Sequence, residues 1–399
     1  VEEVIGDFVV LKKSGSNFKG LSPFSQERTP SFMVSPVKQI WKDFSSGKGG
    51  NVVAFLMEHE HFTYPEAIRF LANKYNIEIE ETEQSHEEKE KANARESLYL
   101  VNQFAQESFT QDLWEFSEGK AIGLSYFRER GFTDEIIRLF SLGYASEQRD
   151  RFYKKATKAG YAENYIVETG LIIKNERGAV DRFRGRVIFP IRSMAGRIQG
   201  FGGRILSATL KTAKYINSPE SEVYHKSKVL YGMFEAKKAI AKEDICYLVE
   251  GYTDVIQMFQ QGIENVVSSS GTALTPDQIR LVRRLTPNIV VLFDGDSAGL
   301  RAAIRGIDLI LEQGMNVRVC SFPEGEDPDS FAKSHTKEEI SKYLKESARD
   351  FIQFKTDLLL QESGNDPVKK ANTVREIVKS ISKIPDAIQQ EIYLKQCAS

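Results

Sequence analysis

The sequence predicts a multidomain α/β protein: a small antiparallel β ribbon with helices, a mixed α/β domain containing a parallel sheet, and a helical C-terminal segment. Three observations support this fold class. The 399 residues exceed what one ordinary hydrophobic core accommodates, so two or three domains are expected. From about residue 245, apolar strand-like runs alternate with helical patterns, which is typical of a parallel sheet covered on both faces. Residues 334–399 show helical patterns alone.

The ribbon is predicted from short alternating runs that Gly, Ser and Pro separate. These runs cover residues 8–11, 17–21, 31–34 and 39–44. Two helices are expected to follow. Asn51 can cap the first over residues 52–59, and Thr63 with Glu66 has capping-box spacing before the second, over residues 67–75.

The domain boundaries follow from changes in composition. An acid-rich stretch without an apolar face, over residues 80–90, predicts an exposed linker. Helices are expected over about residues 94–140, and Gly- and Arg-rich strands over residues 187–191 and 197–205. The predicted domains are a ribbon (1–82), a linker (83–95), a basic region (96–241), a parallel-sheet subdomain (242–333) and a helical subdomain (334–399).

The parallel-sheet subdomain is predicted from a regular alternation of strands and helices. The predicted strands cover residues 245–249, 266–269, 288–293 and 317–321, and the predicted helices cover 254–261, 276–285 and a segment ending at Gly314. Thr275 followed by Pro276 is a favourable N-cap and first turn for the second helix, and Ser297 can cap the third.

Carboxylates follow three of these strands. They are Glu250, Asp294, Asp296, Asp327 and Asp329. Ligands of open parallel sheets gather at the carboxyl ends of the strands, and residues two apart in extended chain project the same way. Oxygen ligands without His or Cys favour Mg²⁺ or Mn²⁺ over zinc. A single Asp after a strand more often caps the next helix or makes a turn, but five together favour a metal site.

The same acidic residues resemble a known signature. Residues 250–254 (EGYTD) and 294–299 (DGDSAG) are similar to the TOPRIM signature of primases, topoisomerases and some nucleases. The resemblance implies that Glu250, Asp294 and Asp296 are catalytic, with Glu250 a catalytic glutamate. It also implies that all five carboxylates hold Mg²⁺.

Local charge differs strongly from the total. The net charge is −2, yet residues 151–238 contain 18 Lys and Arg against 7 Asp and Glu. These basic residues alternate with Phe183, Phe189, Phe201 and Tyr215, a pattern that favours phosphate pairing and base stacking. Glycines over residues 200–203 would let a backbone approach a phosphate. The alternative is a solvated basic sheet face.

Within this basic region the resemblance narrows to the DnaG-type primases. Residues 201–204 (FGGR), 214–220 (KYINSPE) and 225–226 (HK) are similar to motifs of the primase polymerase domain, and residues 126–131 (YFRERG) to a further motif. The resemblance implies that nucleotide or template is bound by Arg130, Arg204, Lys214, Asn217 and Lys226. A hydrogen-bonded structural role is expected for His225.

The first segment resembles the primase zinc ribbon, whose ligands are a Cys-x2-His and a Cys-x2-Cys pair. In this sequence the corresponding positions are Ser22, Ser25, Asp43 and Ser46. Serine hydroxyls hold zinc poorly, so no zinc is expected. We expect the ribbon to persist without metal, with Trp41 and Phe44 in its core, and to remain a basic template-binding domain.

By this resemblance the chain is expected to be a DNA primase, a nucleotidyltransferase that makes short RNA primers in replication. The expected partners are single-stranded DNA, nucleoside triphosphates and an RNA–DNA hybrid product, with Mg²⁺ or Mn²⁺ as cofactor. The family's helicase-binding domain is not recognisable, so contact with the replicative helicase is expected to need a C-terminal domain absent here. The protein is expected to be cytoplasmic, since no apolar run reaches membrane-span length.

Two other functions stay open. The chain could be another TOPRIM enzyme, a nuclease or topoisomerase-like protein, or a non-catalytic single-strand-binding module. A topoisomerase needs a tyrosine nucleophile in a domain of its own, which the sequence does not contain in recognisable form. The three cysteines, at positions 246, 320 and 397, are far apart and predict neither a disulfide framework nor a metal site.

Overall fold

The structure is a computed structural model, which describes residues 1–25, 27, 29–60, 62, 64–78, 86–176, 178–206, 213–271, 273–293, 306–356 and 367–398. The chain forms two compact units, Val1–Glu90 and Lys91–Ser399. We call them the ribbon unit and the catalytic unit. None of the described helices combines the length and the hydropathy that a membrane crossing requires.

The ribbon unit is an antiparallel sheet with three helices. Its strands, in spatial order, are β1 (Lys12–Ser14), β2 (Asn17–Gly20), β3 (Phe32–Ser35), β4 (Ile40–Asp43) and β5 (Gly49–Gly50). Its helices are α1 (Glu2–Gly6), α2 (Val52–His59) and α3 (Tyr64–Tyr75). The predicted cap is confirmed, because the Asn51 side chain accepts a hydrogen bond from the Ala54 amide at 2.9 Å. Thr63 lies outside the described residues. The strand predicted at residues 8–11 is wrong, since the first strand is β1.

Aromatic rings form the core of the ribbon unit. Trp41 is 1% exposed and stacks on Phe32 with ring centroids 5.5 Å apart. Phe55, from α2, meets Trp41 edge-on at 5.7 Å. The expectation for Trp41 is confirmed, but that for Phe44 is wrong, because Phe44 is 68% exposed.

The catalytic unit opens with helices. They are α4 (His86–Glu115), a π-helical turn (Gly119–Leu124), α5 (Ser125–Glu129), α6 (Asp134–Leu139), α7 (Arg151–Lys158) and α8 (Glu163–Glu168). Helix α4 begins inside the stretch predicted as a linker, so residues 86–95 are helical. Among its described side chains, which start at residue 93, the first buried one is Leu98, where the sequence becomes apolar.

An antiparallel sheet follows, in the order β11-β10-β9-β6. The strands of this region are β6 (Gly143–Ala145), β7 (Ile172–Asn175), β8 (Gly178–Asp181), β9 (Arg186–Arg192), β10 (Ile198–Ile205) and β11 (Tyr215–Asn217). Strands β7 and β8 pair separately. The two strands predicted over residues 187–191 and 197–205 correspond to β9 and β10. The turn Lys226–Lys228 leads from this sheet to helix α9 (Met233–Glu243).

The parallel sheet is confirmed, with the order β13-β12-β14-β15-β16. Its elements are β12 (Cys246–Val249), α10 (Tyr252–Gln260), β13 (Val266–Ser268), α11 (Pro276–Arg283), β14 (Asn288–Phe293), β15 (Asn316–Ser321), α12 (Pro328–Ser334), α13 (Lys337–Ser347) and β16 (Arg349–Asp350). Only the edge strand β16 is antiparallel. Thr275 caps α11 as predicted, and Ser297 lies outside the described residues.

Both faces of this sheet are covered, as its apolar strands require. Alternate residues of β14 enter two separate cores. Val290 and Leu292 pack with side chains of the antiparallel sheet, and Val291 and Phe293 pack with the C-terminal helices. Those helices are residues 306–312 and 351–356, α14 (Pro367–Ile381) and α15 (Ala387–Ala398). Cys246 and Cys320 are free and buried in the two cores.

Candidate active site

Glu250 immediately follows β12, and its backbone is held by the neighbouring strand. The Ser268 hydroxyl, at the end of β13, donates to the Glu250 carbonyl at 2.6 Å. Asp254 accepts from the Gly251 amide at 2.8 Å in the capping box that begins α10. Glu250 is itself exposed, so its carboxylate is available at a turn that both neighbours fix.

The parallel strands β12 and β15 lead Glu250 and the segment with Asp327 and Asp329 to one sheet edge. Strand β14 lies between β12 and β15, with Val291 beside Leu248 on one side and Val319 on the other. Glu250 follows β12, and the segment that carries Asp327 and Asp329 follows β15. Carboxyl ends of parallel strands meet at the same edge. Residues 294 and 296, the aspartates that follow β14, lie outside the described residues.

Asp327 and Asp329 differ in their partners. Asp327 is the N-cap of α12, where it accepts from the Ser330 amide at 2.7 Å. The capping alternative weighed from the sequence therefore describes part of what Asp327 does. Asp329 forms an ion pair with Arg130 of the α5 segment. Burial raises the pKa of the Asp329 carboxyl, although the Arg130 charge acts in the opposite direction.

Two carboxylate oxygens in the segment after β15 have no hydrogen-bond partner in the described part of the chain. They are Oδ1 of Asp329 and Oε2 of Glu326, and both are buried. Buried anionic oxygens without donors are costly unless a cation compensates them. This donor set suits a hard cation such as Mg²⁺. The described residues alone contain no group of three His, Cys, Asp or Glu side chains suited to a metal ion, and Asp294 and Asp296 are not among them.

Arg130 and Arg204 share one aromatic ring. The Arg204 guanidinium lies 4.8 Å from the centroid of the Tyr126 ring and donates to the Tyr126 hydroxyl. The Arg130 guanidinium lies 5.7 Å from the same centroid. Tyr215, of β11, is 5.8 Å from Arg204 on another side. Two of the predicted binding residues are thus brought together, and Arg130 joins them to Asp329.

Tyr252 connects Asn217 to the acidic edge. Its hydroxyl donates to the Asn217 side chain at 2.6 Å, and its ring stacks on Phe189 at 4.9 Å. Asn217 also donates to the Ser270 carbonyl at 3.3 Å. Because Tyr252 begins α10, two residues after Glu250, this contact places Asn217 close in structure to the acidic turn.

Lys214 is exposed and lies at the start of β11. Its carbonyl accepts hydrogen bonds from the Ile205 amide at 3.0 Å and from the Arg186 guanidinium at 3.3 Å. Arg186 is only 5% exposed and also donates to the carbonyls of Gly203 and Ala213. A buried arginine thus fixes the backbone that presents the Lys214 side chain.

Lys226 begins the turn Lys226–Lys228, next to α11. Its carbonyl accepts from the Gln278 side chain at 3.1 Å, and its amide donates to Glu220 at 2.9 Å. His225 is 3.0 Å from the same Glu220 carboxylate, which gives it the hydrogen-bonded role expected from the sequence. Lys226 is therefore held by its backbone, separately from the Arg130–Arg204 cluster.

Much of the basic and aromatic pattern is structural. Phe183, Phe189 and Phe201 are at most 1% exposed, so the prediction that they stack on bases is wrong. Arg192 pairs with Glu235 and Arg197 pairs with Glu96, each at 2.7 Å. The alternation of basic and aromatic residues along strands β9 and β10 therefore reflects burial on both faces of the sheet more than a nucleic-acid surface.

The glycines of β10 also have packing roles. A Cβ on Gly202 would collide with the Tyr252 ring, and one on Gly203 would lie 2.6 Å from Phe183. Both residues are buried, so they allow close side-chain packing instead of the phosphate approach predicted for them.

Comparison with known sequence families divides the chain into four matches. Residues 1–87 match the family described as "CHC2 zinc finger", and residues 109–237 the "DNA primase catalytic core, N-terminal domain". Residues 247–332 match a "Toprim-like" family, and residues 352–399 match the "DnaB-helicase binding domain of primase".

Solved structures agree with these matches. The Aquifex aeolicus primase, in its zinc-binding and RNA polymerase domains, is 33% identical with a TM-score of 0.67, covering 98% of this chain and 92% of that one. The chain belongs to the DnaG primase family. A DnaG primase catalytic domain solved with single-stranded DNA is 32% identical, with a TM-score of 0.68 over 76% of this chain and 98% of its own.

Curated members of the DnaG primase family align along nearly the whole chain. A DNA primase of Clostridium acetobutylicum is 37% identical over 400 residues, and one of Halalkalibacterium halodurans is 38% identical over 408. Each alignment covers 99% of this chain, but only 65% and 66% of those relatives. The chain thus spans slightly less than two thirds of their length.

The primase-family matches correct one expectation. The helicase-binding domain was expected to be absent, but residues 352–399 match the family that carries that description. The segment contains α14 and α15. Their helical pattern was predicted, but a helical pattern alone does not distinguish a partner-binding segment from a structural one.

The four positions where primase zinc ribbons have ligands converge in the structure. Ser22 donates to Asp43 at 2.8 Å, Ser46 also donates to Asp43, and Ser25 is 2.5 Å from Ser45. They are therefore neighbours in space, as a ligand set would be, but they bond to one another. Among the three cysteines of the sequence, none lies within residues 1–87.

Sequence reasoning missed four residues of the primase site. They are Tyr126, Arg186, Tyr252 and Glu326. Tyr126 precedes Arg130 by four positions in a helical segment, a spacing that places two side chains on one face and was available as a signal. No sequence signal shows that Arg186 is buried or that Glu326 has a carboxylate oxygen without a partner.

Proposed function

We propose that this chain is a DNA primase that synthesises short RNA primers from nucleoside triphosphates on single-stranded DNA. The observation that carries the proposal is the ion pair of Arg130 with Asp329, beside Arg204. Phosphoryl transfer needs cationic side chains that bind phosphate, here Arg130 and Arg204, next to carboxylates that bind a metal ion, here Asp329. Kinship with the DnaG primase family supports the same reaction.

The acidic edge is proposed to hold Mg²⁺ or Mn²⁺, since its donors are carboxylate oxygens. The residues that would hold the ion are Glu250, Asp294, Asp296, Asp327 and Asp329. A cation bound there would offset the charge of the triphosphate and of the developing transition state. The unpartnered oxygens of Asp329 and Glu326 support this assignment.

The basic residues are proposed to orient the reactants. Arg130 and Arg204 present planar donors that match phosphate oxygens, and the shared Tyr126 ring limits their freedom. Lys214 and Lys226 add charges for nucleotide or template phosphates, and Asn217 adds an amide at the turn carrying Glu250. In the reaction, a ribose 3′ oxygen forms a bond to the α-phosphorus, the bond to the β-phosphate oxygen breaks, and pyrophosphate leaves.

The ribbon unit is proposed to contact the template without zinc. Its exposed lysines include Lys12, Lys13, Lys38, Lys42 and Lys48, and such charges bind a phosphate backbone without reading its sequence. Zinc sites of this kind need thiolate or imidazole ligands, which the four converging positions lack. In this proposal, the match to a zinc-finger family reflects a shared fold and sequence pattern and does not require a bound zinc ion.

The test is incorporation of labelled ribonucleotides on unprimed single-stranded DNA with Mg²⁺. The parent chain is compared with Asp294→Ala, Asp296→Ala and the matched control Asp277→Ala, a half-buried residue of α11 whose side chain is 41% exposed. We expect short RNA from the parent chain and from Asp277→Ala, and none from Asp294→Ala or Asp296→Ala. DNA cleavage without ribonucleotides would favour a TOPRIM nuclease, and DNA binding without product from any variant would favour a binding module.

Contact with a DnaB-type helicase is proposed through residues 352–399. Ile388 and Ile392 lie one turn apart on α15 and are 73% and 59% exposed, which is a suitable apolar contact. The double variant Ile388→Lys with Ile392→Lys should lose co-precipitation with the helicase. Ile173→Lys, on the exposed face of β7, is the control and should retain it.

A further inference from the structure

The ribbon unit contains a buried carboxylate at one of the positions where zinc ribbons of the family have metal ligands. Asp43 ends β4 and is 0% exposed. The unit matches a zinc-finger family, yet residues 1–87 contain no cysteine, and His59, one of their histidines, stacks on Phe55 at 5.0 Å. The donors present do not fit a thiolate–imidazole zinc site.

Hydroxyl groups surround this carboxylate as donors. The Ser22 hydroxyl lies 2.8 Å from Oδ2 of Asp43. Ser46 donates to the same oxygen through its hydroxyl and through its amide, the latter at 3.2 Å. The Ser45 hydroxyl lies 3.0 Å from Oδ1. We call Asp43 with Ser22, Ser45 and Ser46 the carboxylate hub.

A second layer extends the hub. The Ser25 and Ser45 hydroxyls are 2.5 Å apart, so Ser25 can donate to Ser45 while Ser45 donates to Asp43. The Glu27 carboxylate accepts from the amides of Ser22 and Ser31 at 2.7 and 2.8 Å. These bonds tie the loop before β3 to the loop after β4, which are the two loops that carry the family's ligand pairs.

The hydrogen bonds compensate the burial of the charge. Burial alone would raise the pKa of Asp43, but the bonds from Ser46, Ser22 and Ser45 outweigh it and hold the pKa below its ordinary value. Hydrogen bonds to an ionised acceptor are about twice as strong as neutral ones. Donors therefore meet both carboxylate oxygens, and the groups that surround them are hydroxyls and an amide, not metal ligands.

We propose that the carboxylate hub replaces the zinc ion as the crosslink of the ribbon, so that this unit folds and remains folded without metal. Zinc joins two loops through four bonds to one cation, and here the same loops are joined through hydrogen bonds to one anion. The donor set supports this replacement of a cation by an anion. Of the serines at the ligand positions, Ser22 and Ser46 donate directly to the carboxylate at the fourth position, and Ser25 is linked to it through Ser45.

The test uses the full chain with Trp114→Phe, which leaves Trp41 as the reporter, since the sequence has two tryptophans. Trp41 lies on β4 with Asp43, so its fluorescence follows melting of the ribbon unit. The purified protein should contain no stoichiometric zinc by elemental analysis. Its Trp41 melting midpoint should stay the same with o-phenanthroline or added Zn²⁺. One equivalent of zinc, with a midpoint that the chelator lowers, would overturn the proposal.

Variants of the hub test the crosslink itself. Asp43→Asn keeps the shape but removes the charge, and the midpoint should fall by roughly 10 °C. Ser22→Ala removes one donor and should lower it by roughly 5 °C. Ser14→Ala, an exposed serine of β1, is the matched control and should melt like the parent. If Asp43→Asn does not fold, the melting midpoint of Ser22→Ala tests the proposal instead. A midpoint equal to that of the parent would refute the proposal that the carboxylate hub crosslinks the ribbon.

A reverse substitution supplies the positive control. The quadruple variant Ser22→Cys, Ser25→His, Asp43→Cys and Ser46→Cys recreates the family's ligand pairs. It should bind one equivalent of zinc and become sensitive to the chelator, which supports the equivalence of the two crosslinks. Failure to bind zinc would mean that the hub does not occupy the ligand positions. Primer synthesis is not measured here, so these outcomes are independent of the proposed activity.

Discussion

Arg130 and Asp329 form an ion pair across 199 positions of sequence. The arginine ends α5, in the helical first part of the catalytic unit, and the aspartate lies in the first turn of α12, beyond the parallel sheet. The pair uses one oxygen of Asp329 and leaves the other, Oδ1, buried without a partner in the described chain. A residue predicted to bind phosphate and one predicted to bind metal thus contact each other directly.

The first prediction concerns the charge of Asp329. Asp329→Asn keeps the size of the side chain but removes the anion that the cation and Arg130 both need. Primer synthesis should fall by at least about 100-fold, in line with the loss of one electrostatic contributor. The free energy of unfolding should change little, because burial that raises the pKa of Asp329 also makes its charge unfavourable without a cation. Ribonucleotide incorporation and urea unfolding measure the two effects.

The control for this variant is Asp277→Asn, at a half-buried position in the first turn of α11. It should synthesise primers at the parent rate. Full activity in Asp329→Asn would remove Asp329 from the metal site and leave only its pairing with Arg130.

The second prediction concerns Arg186, which donates to three backbone carbonyls and has no carboxylate partner among the described residues. Arg186→Met keeps the apolar stem and leaves those carbonyls without donors. The free energy of unfolding should fall by about 3 kcal/mol. Because Lys214 belongs to the released backbone, KM for nucleoside triphosphates should also rise while kcat changes less.

Arg184→Met serves as the matched control, since Arg184 is exposed and lies two residues away. Arg186→Lys retains the charge but not the forked donors, and should recover only part of the stability. An unchanged KM in a folded Arg186→Met protein would contradict the positioning role.

The architecture was predictable because its strongest signals are local. Strand β14 has the predicted bounds, Asn288–Phe293. A run of six residues that needs burial on both faces of the sheet leaves little choice of where the strand begins and ends. Caps at Asn51 and Thr275 were readable from side-chain chemistry. The start of α4 at His86 was not, because a polar helical turn without an apolar face resembles a linker.

The candidate site was predictable only in part. Glu250, Asp327 and Asp329 follow strands, so their common edge could be inferred from topology. The pairing of Arg130 with Asp329 could not, because no local pattern links positions so distant in sequence. Burial of Phe189 and Phe201 was misread for a related reason: alternation of arginine with phenylalanine is similar in a nucleic-acid surface and in a strand buried on both faces.

The third prediction concerns the contact of Gly202 with Tyr252. A Cβ at Gly202 would collide with the Tyr252 ring, which stacks on Phe189 and bonds to Asn217. Gly202→Ala should therefore lower the free energy of unfolding by about 3 kcal/mol and reduce primer synthesis, because the displaced ring begins the helix after Glu250. Tyr252→Phe removes only the hydroxyl and should cost about 1 kcal/mol.

The control for this contact is Gly306→Ala. In the part of the chain that the structure describes, a Cβ at Gly306 would meet only the Leu274 Cβ, at 3.9 Å, so this substitution should be neutral or stabilising. If Gly202→Ala and Gly306→Ala unfold at the same urea concentration, the close packing of β10 against Tyr252 does not contribute to the stability of the fold.

The last prediction concerns Glu118, which joins the π-helical turn to β6. Its carboxylate accepts from the Tyr144 hydroxyl at 2.9 Å, the Ser146 hydroxyl at 2.8 Å and the Glu147 amide at 2.8 Å. Burial alone would raise the pKa of Glu118, but these donors outweigh it and lower the pKa from its ordinary 4.5. The stabilisation is therefore present above the unfolded-state pKa and is lost as pH falls through the folded-state pKa.

Glu118→Gln should thus lower the free energy of unfolding of the catalytic unit by about 2 kcal/mol at pH 7. The difference from the parent should stay constant down to about pH 5 and narrow below the ordinary pKa of 4.5, where the parent carboxylate takes up its proton. Urea unfolding followed by Trp114 fluorescence, in a Trp41→Phe background, measures this. The exposed Glu135→Gln is the control. A difference that widens in acid would show that folding raises the pKa of Glu118 above its ordinary 4.5, which would contradict the prediction.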